Sequence, residues 1–444
     1  MKVSVVGSGY VGTTTSALLA VAGHEVTAVD LDEDKVKTIN SGKSHFFEAG
    51  LDELIAHAVD IGKLTASTSY DSLKEADIVF SCVGTPDNPD GSPNLSYIDA
   101  VAETAAEYAQ KGTIFIQKST VPVGTGERLH DIIPDLIYVS NPEFLREGSA
   151  INDSILPDRL VIGCDDSDAA QMVADLFQSI ADVSEEINRI GEIGIDSAQL
   201  SVHEYETFLT SVNSAELIKV TANAFLALKI SFANATAKLA DRSGADVVEV
   251  MNGVGSDKRI GRAFLNAGRG YGGGCFPKDV SGLISVAIDH GVDFSIMTSA
   301  NELNESMPGY IVHKLMEQTD VSDAKVAVLG LAFKPGTSDA RKSPAVSIAN
   351  ILAKEGAQVI GYDPEANEEA TEELNPKVKL AESANEAVKG ADIVLVATIW
   401  QEFRDLDLDD LAERMAGKTF VDCMNAFNPD DATSAGLTYI GVGR

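Results

Sequence analysis

Apolar and polar positions along this 444-residue chain follow two rhythms. Short apolar runs bounded by turn residues, such as Lys2–Val6 and Glu25–Val29, read as buried strands. Between them, Thr13–Ala22 carries a helical pattern. The alternation then repeats in the second half. Lys2–Gly7 is echoed by Lys325–Gly330, and Glu25–Asp30 by Gln358–Asp363. Ala76–Phe80 is echoed by Ala391–Leu395, and Thr113–Ile116 by Thr419–Asp422. Strands alternating with helices in both halves predict parallel sheets built from βαβ units. Between the halves the pattern turns helical. Asn213 is the expected cap of a long helix, with Glu216 as its capping-box partner. Leu217, Val220, Ala224, Leu228 and Phe232 form one stripe, so this helix is expected to be largely buried and to serve as a dimer seam.

The first repeat carries more than a fold signal. Gly7–Ser8–Gly9–Tyr10–Val11–Gly12 joins a strand to a helix, and the next strand ends in Asp30. Strand, glycine turn, helix, strand and carboxylate together form the dinucleotide fingerprint. Glycines let a pyrophosphate reach the helix N-terminus. Asp30 can accept ribose hydroxyls and repels a 2′-phosphate, which favours NAD over NADP. The second repeat lacks the GxGxxG turn, so its ligand must be held differently. The expected class is α/β: two Rossmann-like doubly wound parallel-sheet domains joined by a helical middle region with a long central helix. The expected boundaries are 1–210, 211–317 and 318–444, with the second linker near 318–324.

Charge narrows the partners. The chain has 68 acidic and 34 basic residues, a formal charge of −34, spread over segments such as Asp165–Asp168 and Asp405–Asp410. Such a surface repels nucleic acid and anionic lipid. It suits a high-salt cytoplasm, where screening removes self-repulsion. No run of about 18 apolar residues predicts a membrane span, and Met1–Lys2 leads straight into a strand, leaving no room for a signal peptide. Cys82, Cys164 and Cys423 lie in or beside apolar runs and read as core, without a disulfide framework or metal-site spacing. A reduced, cytoplasmic protein without a metal follows.

Cys275 stands apart, within Gly272–Gly273–Gly274–Cys275–Phe276–Pro277–Lys278–Asp279. Pro277 marks the first turn of a helix, so Cys275 falls at an N-terminus that favours a thiolate. The three glycines would let another molecule approach the backbone closely. Asp279 follows one turn later. Lys219 and Asn223 lie four apart on one face of the central helix, where ammonium and amide could stabilise an oxyanion; snorkelling of the lysine is the plainer alternative. Glu143 and Glu147 occupy a strand-end loop, Asn141–Gly148, where open α/β sheets bind ligands. The loop Lys118–Thr125 offers hydroxyls for a water, the nicotinamide or a helix cap. Lys334, Arg341 and Arg259 are equally readable as surface cations.

Taken together these motifs resemble the nucleotide-sugar dehydrogenases over nearly the whole length. The resemblance runs through Gly7–Gly12, Ser119–Thr125, Asn141–Gly148, Ala215–Ile230, Arg259–Asp279 and Val328–Pro344. It implies oxidation of a sugar C6 alcohol to a carboxylate by two hydride transfers, with Cys275 trapping the aldehyde. By the same resemblance Lys219 and Asn223 stabilise oxygen anions, Glu143 and Asp279 move protons and activate water, and Thr120 holds that water. Gly7, Gly9, Tyr10, Val11, Gly12, Asp30, Lys35, Thr85, Thr120, Glu147, Lys278 and Arg341 would line the NAD site. Glu143, Phe144, Leu145, Lys219, Asn223, Tyr271, Gly272 and Lys334 would hold the nucleotide sugar, with Arg259 reaching it from a partner subunit of a homodimer. UDP-glucose is the favoured substrate; GDP-mannose and UDP-N-acetylmannosamine are the alternatives. A simple β-hydroxyacid dehydrogenase would need neither the cysteine nor the second repeat, and a nucleotide-sugar sensor would not keep cysteine, lysine and acids together. Two departures stand out. Met424 occupies the place of a diphosphate-binding arginine in Asp422–Cys423–Met424–Asn425, so diphosphate binding is weaker or recruited elsewhere. Residues 183–204 form a longer, more acidic insertion.

Overall fold

The computed structural model describes residues 1–86, 88 and 92–444. The chain divides into two compact units, Met1–Ala222 and Asn223–Arg444.

The first unit is built on eight strands: β1 (Lys2–Val6), β2 (Glu25–Val29), β3 (Leu64–Ser67), β4 (Ile78–Ser81), β5 (Ile114–Gln117), β6 (Ile137–Ser140), β7 (Arg159–Gly163) and β8 (Glu206–Thr210). Their order is β3-β2-β1-β4-β5-β6-β7-β8. Val5 pairs with Ala28 on one side and Phe80 on the other, all parallel. One junction departs from the expected all-parallel pattern: β6 and β7 are antiparallel. The chain leaves β6 through the Asn141–Ser149 loop and the short helix Ala150–Ile155, and returns without a crossover. Interior strands are apolar on both faces because helices cover both. Val79 and Phe80 of β4 accordingly belong to separate apolar layers. The insertion at 183–204 contributes to this core. It forms helices Ser184–Ile190 and Ser197–Val202, which bury Ile187 and Leu200 while leaving Glu185 and Glu186 exposed.

The second unit repeats the plan with β9 (Lys325–Leu329), β10 (Gln358–Tyr362), β11 (Lys379–Leu380), β12 (Ile393–Val396), β13 (Thr419–Asp422) and β14 (Thr438–Ile440). The order β11-β10-β9-β12-β13-β14 reproduces the first six positions of the other sheet. Leu395 and Val396 again face different layers.

A single helix, Val212–Ser243, runs across the boundary between the units. Its start differs from expectation. Ser211 caps it, accepting from Ser214 N at 3.3 Å. Asn213 instead donates to Glu127 at 2.8 Å. Glu216 caps another helix, accepting from Gly124 N (2.8 Å) and Gly126 N (2.9 Å). The predicted apolar stripe is also corrected. Val220 and Ala224 are buried, but Leu217 and Phe232 are 42% and 56% exposed. The buried face is made of small residues, Ala215, Ala227, Ala233, Ala237 and Ala240, which let neighbouring elements pack close to the helix backbone. The bulky ones (Leu217, Phe225, Phe232, Leu239) recur at near-heptad spacing on the outer face. Cys82 and Cys423 are buried as expected, whereas Cys164, just beyond the end of β7, is only half-buried.

Candidate active site

Three constellations emerge, two in the first unit and one in the second. The first is the glycine turn after β1. Gly7 has φ +97°, and a Cβ there would meet the Cys82 backbone at 2.8 Å. A Cβ on Gly12 would lie 1.9 Å from the Gly7 carbonyl oxygen, so helix and strand touch here. Around Gly9, by contrast, a Cβ would meet nothing within 4 Å, and the helix Tyr10–Val21 has no side-chain cap. Open space facing uncapped N–H groups is what a pyrophosphate requires. Asp30 frames it, accepting from Ser8 N (2.8 Å) and Asp32 N (3.0 Å), with Lys35 at 3.9 Å. These residues fit a dinucleotide. Tyr10 donates to the buried Glu48 and accepts from Gly148 N at 2.6 Å, which ties the turn to the loop carrying Glu147. Thr85 is buried and donates to the Thr120 carbonyl at 3.2 Å.

The second constellation is buried at the ends of β5 and β6. Lys219 donates to Glu143 at 3.0 Å, and their side chains are 4% and 9% exposed. Glu143 also accepts from Leu145 N at 2.6 Å. Burial pushes the Glu143 carboxyl up, but the Lys219 ammonium, with help from Lys118, outweighs it and holds the group below its ordinary range. Lys118 is itself fully buried, donating to Asn141 at 2.9 Å, and burial brings it down to about 8. Asn141 passes the contact on to the Val161 carbonyl at 2.8 Å. The Phe144 ring lies 3.8 Å from the Arg159 guanidinium and 5.3 Å from the Lys219 ammonium. Two buried cations against one carboxylate suit a developing oxyanion.

The third constellation belongs to the second unit. Cys275 is exposed at the N-cap of helix Phe276–Asp289, with Pro277 in its first turn. Asp279 N closes that turn onto the Cys275 carbonyl at 2.9 Å. The Asp279 carboxylate is buried and accepts from Asn223 at 2.6 Å. Lys278 is half-buried in the same turn. The preceding glycines do not stand open as expected. A Cβ on Gly272 would meet the Lys342 carbonyl at 2.3 Å, one on Gly273 the Phe333 ring at 2.8 Å, and one on Gly274 the Arg341 guanidinium at 2.7 Å. What approaches them is the chain's own 333–344 segment. Tyr271 is buried; its backbone N donates to Asn304 Oδ1 at 2.8 Å and its carbonyl accepts from Asn304 Nδ2 at 3.0 Å. Arg341 pairs with Asp339 at 2.6 Å, and Lys334 is half-buried. Arg259 lies on the surface, paired with Asp257 at 2.6 Å.

Sequence reasoning passed over Lys118, Asn141 and Arg269. A lysine directly after the apolar strand β5, and an arginine flanked by glycines, were the available signals.

Comparison with known proteins now decides the family. Residues 1–181 match the NAD binding domain of the UDP-glucose/GDP-mannose dehydrogenase family, 213–306 its central domain and 327–429 its UDP binding domain. The chain belongs to the UDP-glucose/GDP-mannose dehydrogenase family. NAD is therefore the cofactor of the glycine turn. Among relatives in the family, UDP-glucose 6-dehydrogenase YwqF of Bacillus subtilis is 38% identical, over 100% of this chain and 98% of its own. UDP-glucose 6-dehydrogenase AglM of Haloferax volcanii is 38% identical over 94% and 95%. A UDP-glucose dehydrogenase structure from Pyrobaculum islandicum superposes with a TM-score of 0.87 at 35% identity, covering 99% and 97%. The UDP-D-ManNAc dehydrogenase of Pyrococcus horikoshii gives 0.85 at 28% identity, covering 100% and 99%. The family's fold thus serves more than one nucleotide sugar.

Proposed function

We propose that this enzyme oxidises the C6 alcohol of UDP-glucose to UDP-glucuronate in two NAD-dependent steps through a covalent bond to Cys275. The observation that carries the reading is the first turn of helix Phe276–Asp289: an exposed cysteine beside a buried Asp279–Asn223 pair. The Lys219–Glu143 pair supports it from the same long helix, one turn before Asn223.

NAD, when bound, accepts the hydride lost from C6 in each oxidation. In the first, the hydroxyl proton passes to a carboxylate and an aldehyde forms. The Cys275 sulfur then bonds to the aldehyde carbon, giving a thiohemiacetal whose oxygen is stabilised by Lys219 and Asn223. Loss of the second hydride leaves a thioester. Water held by Thr120 attacks it, the carbon–sulfur bond breaks, and the carboxylate departs as the thiolate is restored. Glu143 and Asp279 share the proton transfers. One water is consumed and two NADH and three protons are released per sugar. Phe144, Leu145, Tyr271, Gly272 and Lys334 hold the nucleotide sugar, and Arg341 contributes to cofactor binding.

The same reading extends to assembly and setting. The exposed Leu217–Phe225–Phe232–Leu239 stripe supports a homodimer seam, to which Arg259 of each subunit would contribute. Four cysteines without a disulfide support a cytoplasmic location, and the −34 charge supports a halophilic one. The test is NADH absorbance against a panel of nucleotide sugars at low and high KCl. UDP-glucose should yield two NADH per sugar with no free aldehyde. One NADH per sugar, or preference for another sugar, overturns this reading, as does a Cys275→Ser variant that turns over unimpaired.

A further inference from the structure

Arg269 is the largest fully buried side chain among the described residues, 1% exposed between Gly268 and Gly270. Its Nε donates to the Ala397 carbonyl. One amino group, Nη2, donates to the Ala332 carbonyl (3.2 Å), the Phe333 carbonyl (2.8 Å) and Thr398 Oγ1 (2.8 Å). The other, Nη1, is buried with no hydrogen-bond partner among the described residues. Every oxygen the guanidinium bonds is neutral. Burial lowers it to about 10, so it stays charged at neutral pH. The buried Asp363 carboxylate attracts the guanidinium without bonding it, so the cation rests on neutral acceptors with one donor unmet, a costly arrangement that calls for a reason.

Its place in the fold supplies one. Ala397 and Thr398 directly follow β12, and Ala332 and Phe333 lie in the loop after β9. These two strands are neighbours at the point where the sheet order reverses, the crevice in which open α/β sheets bind their ligands. The two carbonyls in the β9 loop immediately precede Lys334. Gly268, directly before Arg269, packs on the Cys423–Met424 segment, its Cβ position 3.0 Å from the Met424 sulfur.

We propose that Arg269 is a positioning residue for the diphosphate of the nucleotide sugar: it fixes the β9 loop that presents Lys334. This rests on the nucleotide-sugar reading above and adds to it a residue from the central segment, outside the UDP binding module.

The experiment compares wild type, Arg269→Lys, Lys334→Ala and their double variant, with UDP and uridine binding by calorimetry and steady-state kinetics on UDP-glucose. Arg269→Lys should weaken UDP binding and raise KM about tenfold, with kcat within about threefold and uridine affinity within about twofold, since the loss falls on charge-assisted bonds to phosphate. In the Lys334→Ala background the same change should cost less than about threefold, because the two residues act through one loop. Should Arg269→Lys not fold, Thr398→Val removes one acceptor of the guanidinium and should weaken UDP selectively by about threefold. Equal weakening of UDP and uridine, a fall in kcat at constant KM, or independent effects in the double variant would overturn the inference. A wild type that prefers UDP alongside a variant that keeps that preference defeats Arg269 alone. A wild type binding UDP no better than uridine defeats the nucleotide-sugar reading as well.

Discussion

The two sheets share one strand order but treat the end of their second strand in opposite ways. Asp30, after β2, accepts two backbone N–H groups and stays partly exposed beside an open turn. Asp363, after β10, is 1% exposed and accepts five donors: Leu331 N, Ala332 N and Trp400 Nε1 on one oxygen, Glu365 N and Ala366 N on the other. A carboxylate so saturated has nothing left for a ribose. In the second sheet Trp400 donates to this acid, and Arg269 donates to the Ala397 carbonyl just after the neighbouring strand β12. The lesson is that topology alone does not make a dinucleotide site; the hydrogen-bond capacity left over at the second acid does.

The largest effects should come from breaking that asymmetry. Asp363→Ala strands five donors, three of them buried, and should destabilise the second unit by about 3–5 kcal/mol, read by denaturant melts. Asp30→Ala should shift stability by less than about 1 kcal/mol while raising the KM for NAD about tenfold or more. An Asp363 variant that melts normally, or an Asp30 variant with unchanged NAD kinetics, would erase the distinction. Gly9→Ala sharpens it further: the fold has room for the methyl, so melting should hold within about 0.5 kcal/mol while NAD binding falls. Gly330→Ala, whose Cβ would lie 2.5 Å from Thr398, should do the reverse.

A smaller effect concerns Lys118. Its folded value of about 8 lies below the ordinary 10.5, so between those limits the unfolded chain binds more protons. The contribution of Lys118 to stability should therefore rise with pH across that window, by up to about 3 kcal/mol. Lys118→Met should abolish the rise; the same slope in both proteins would assign it elsewhere. Smallest per residue is the surface charge: melting temperature should climb from low to high KCl as self-repulsion is screened.

Both sheets were legible in the sequence because unbroken apolar runs of the right length recur with the same spacing. Cys275 at a helix start was legible from Pro277. What stayed hidden depends on contacts distant in sequence. The burial side of the helix Val212–Ser243 was misjudged because bulky residues suggested the core, whereas alanines form the packed face. Glu216 looked like a local cap, yet its partners lie about 90 residues away. The glycines before Cys275 promised access for a ligand but serve close packing by residues 333–344. No local pattern reveals that Lys118 and Arg269 are interior cations.

The long helix places Lys219 and Asn223 one turn apart, each bonded to its own acid. Since every residue advances an α-helix by about 100°, inserting or deleting a single amino acid between them would turn one partnership by that angle along the helix. The positions between them should therefore refuse any change of length, and the expected linker near 318–324 is no freer, since Val321 is buried in the core of the second unit.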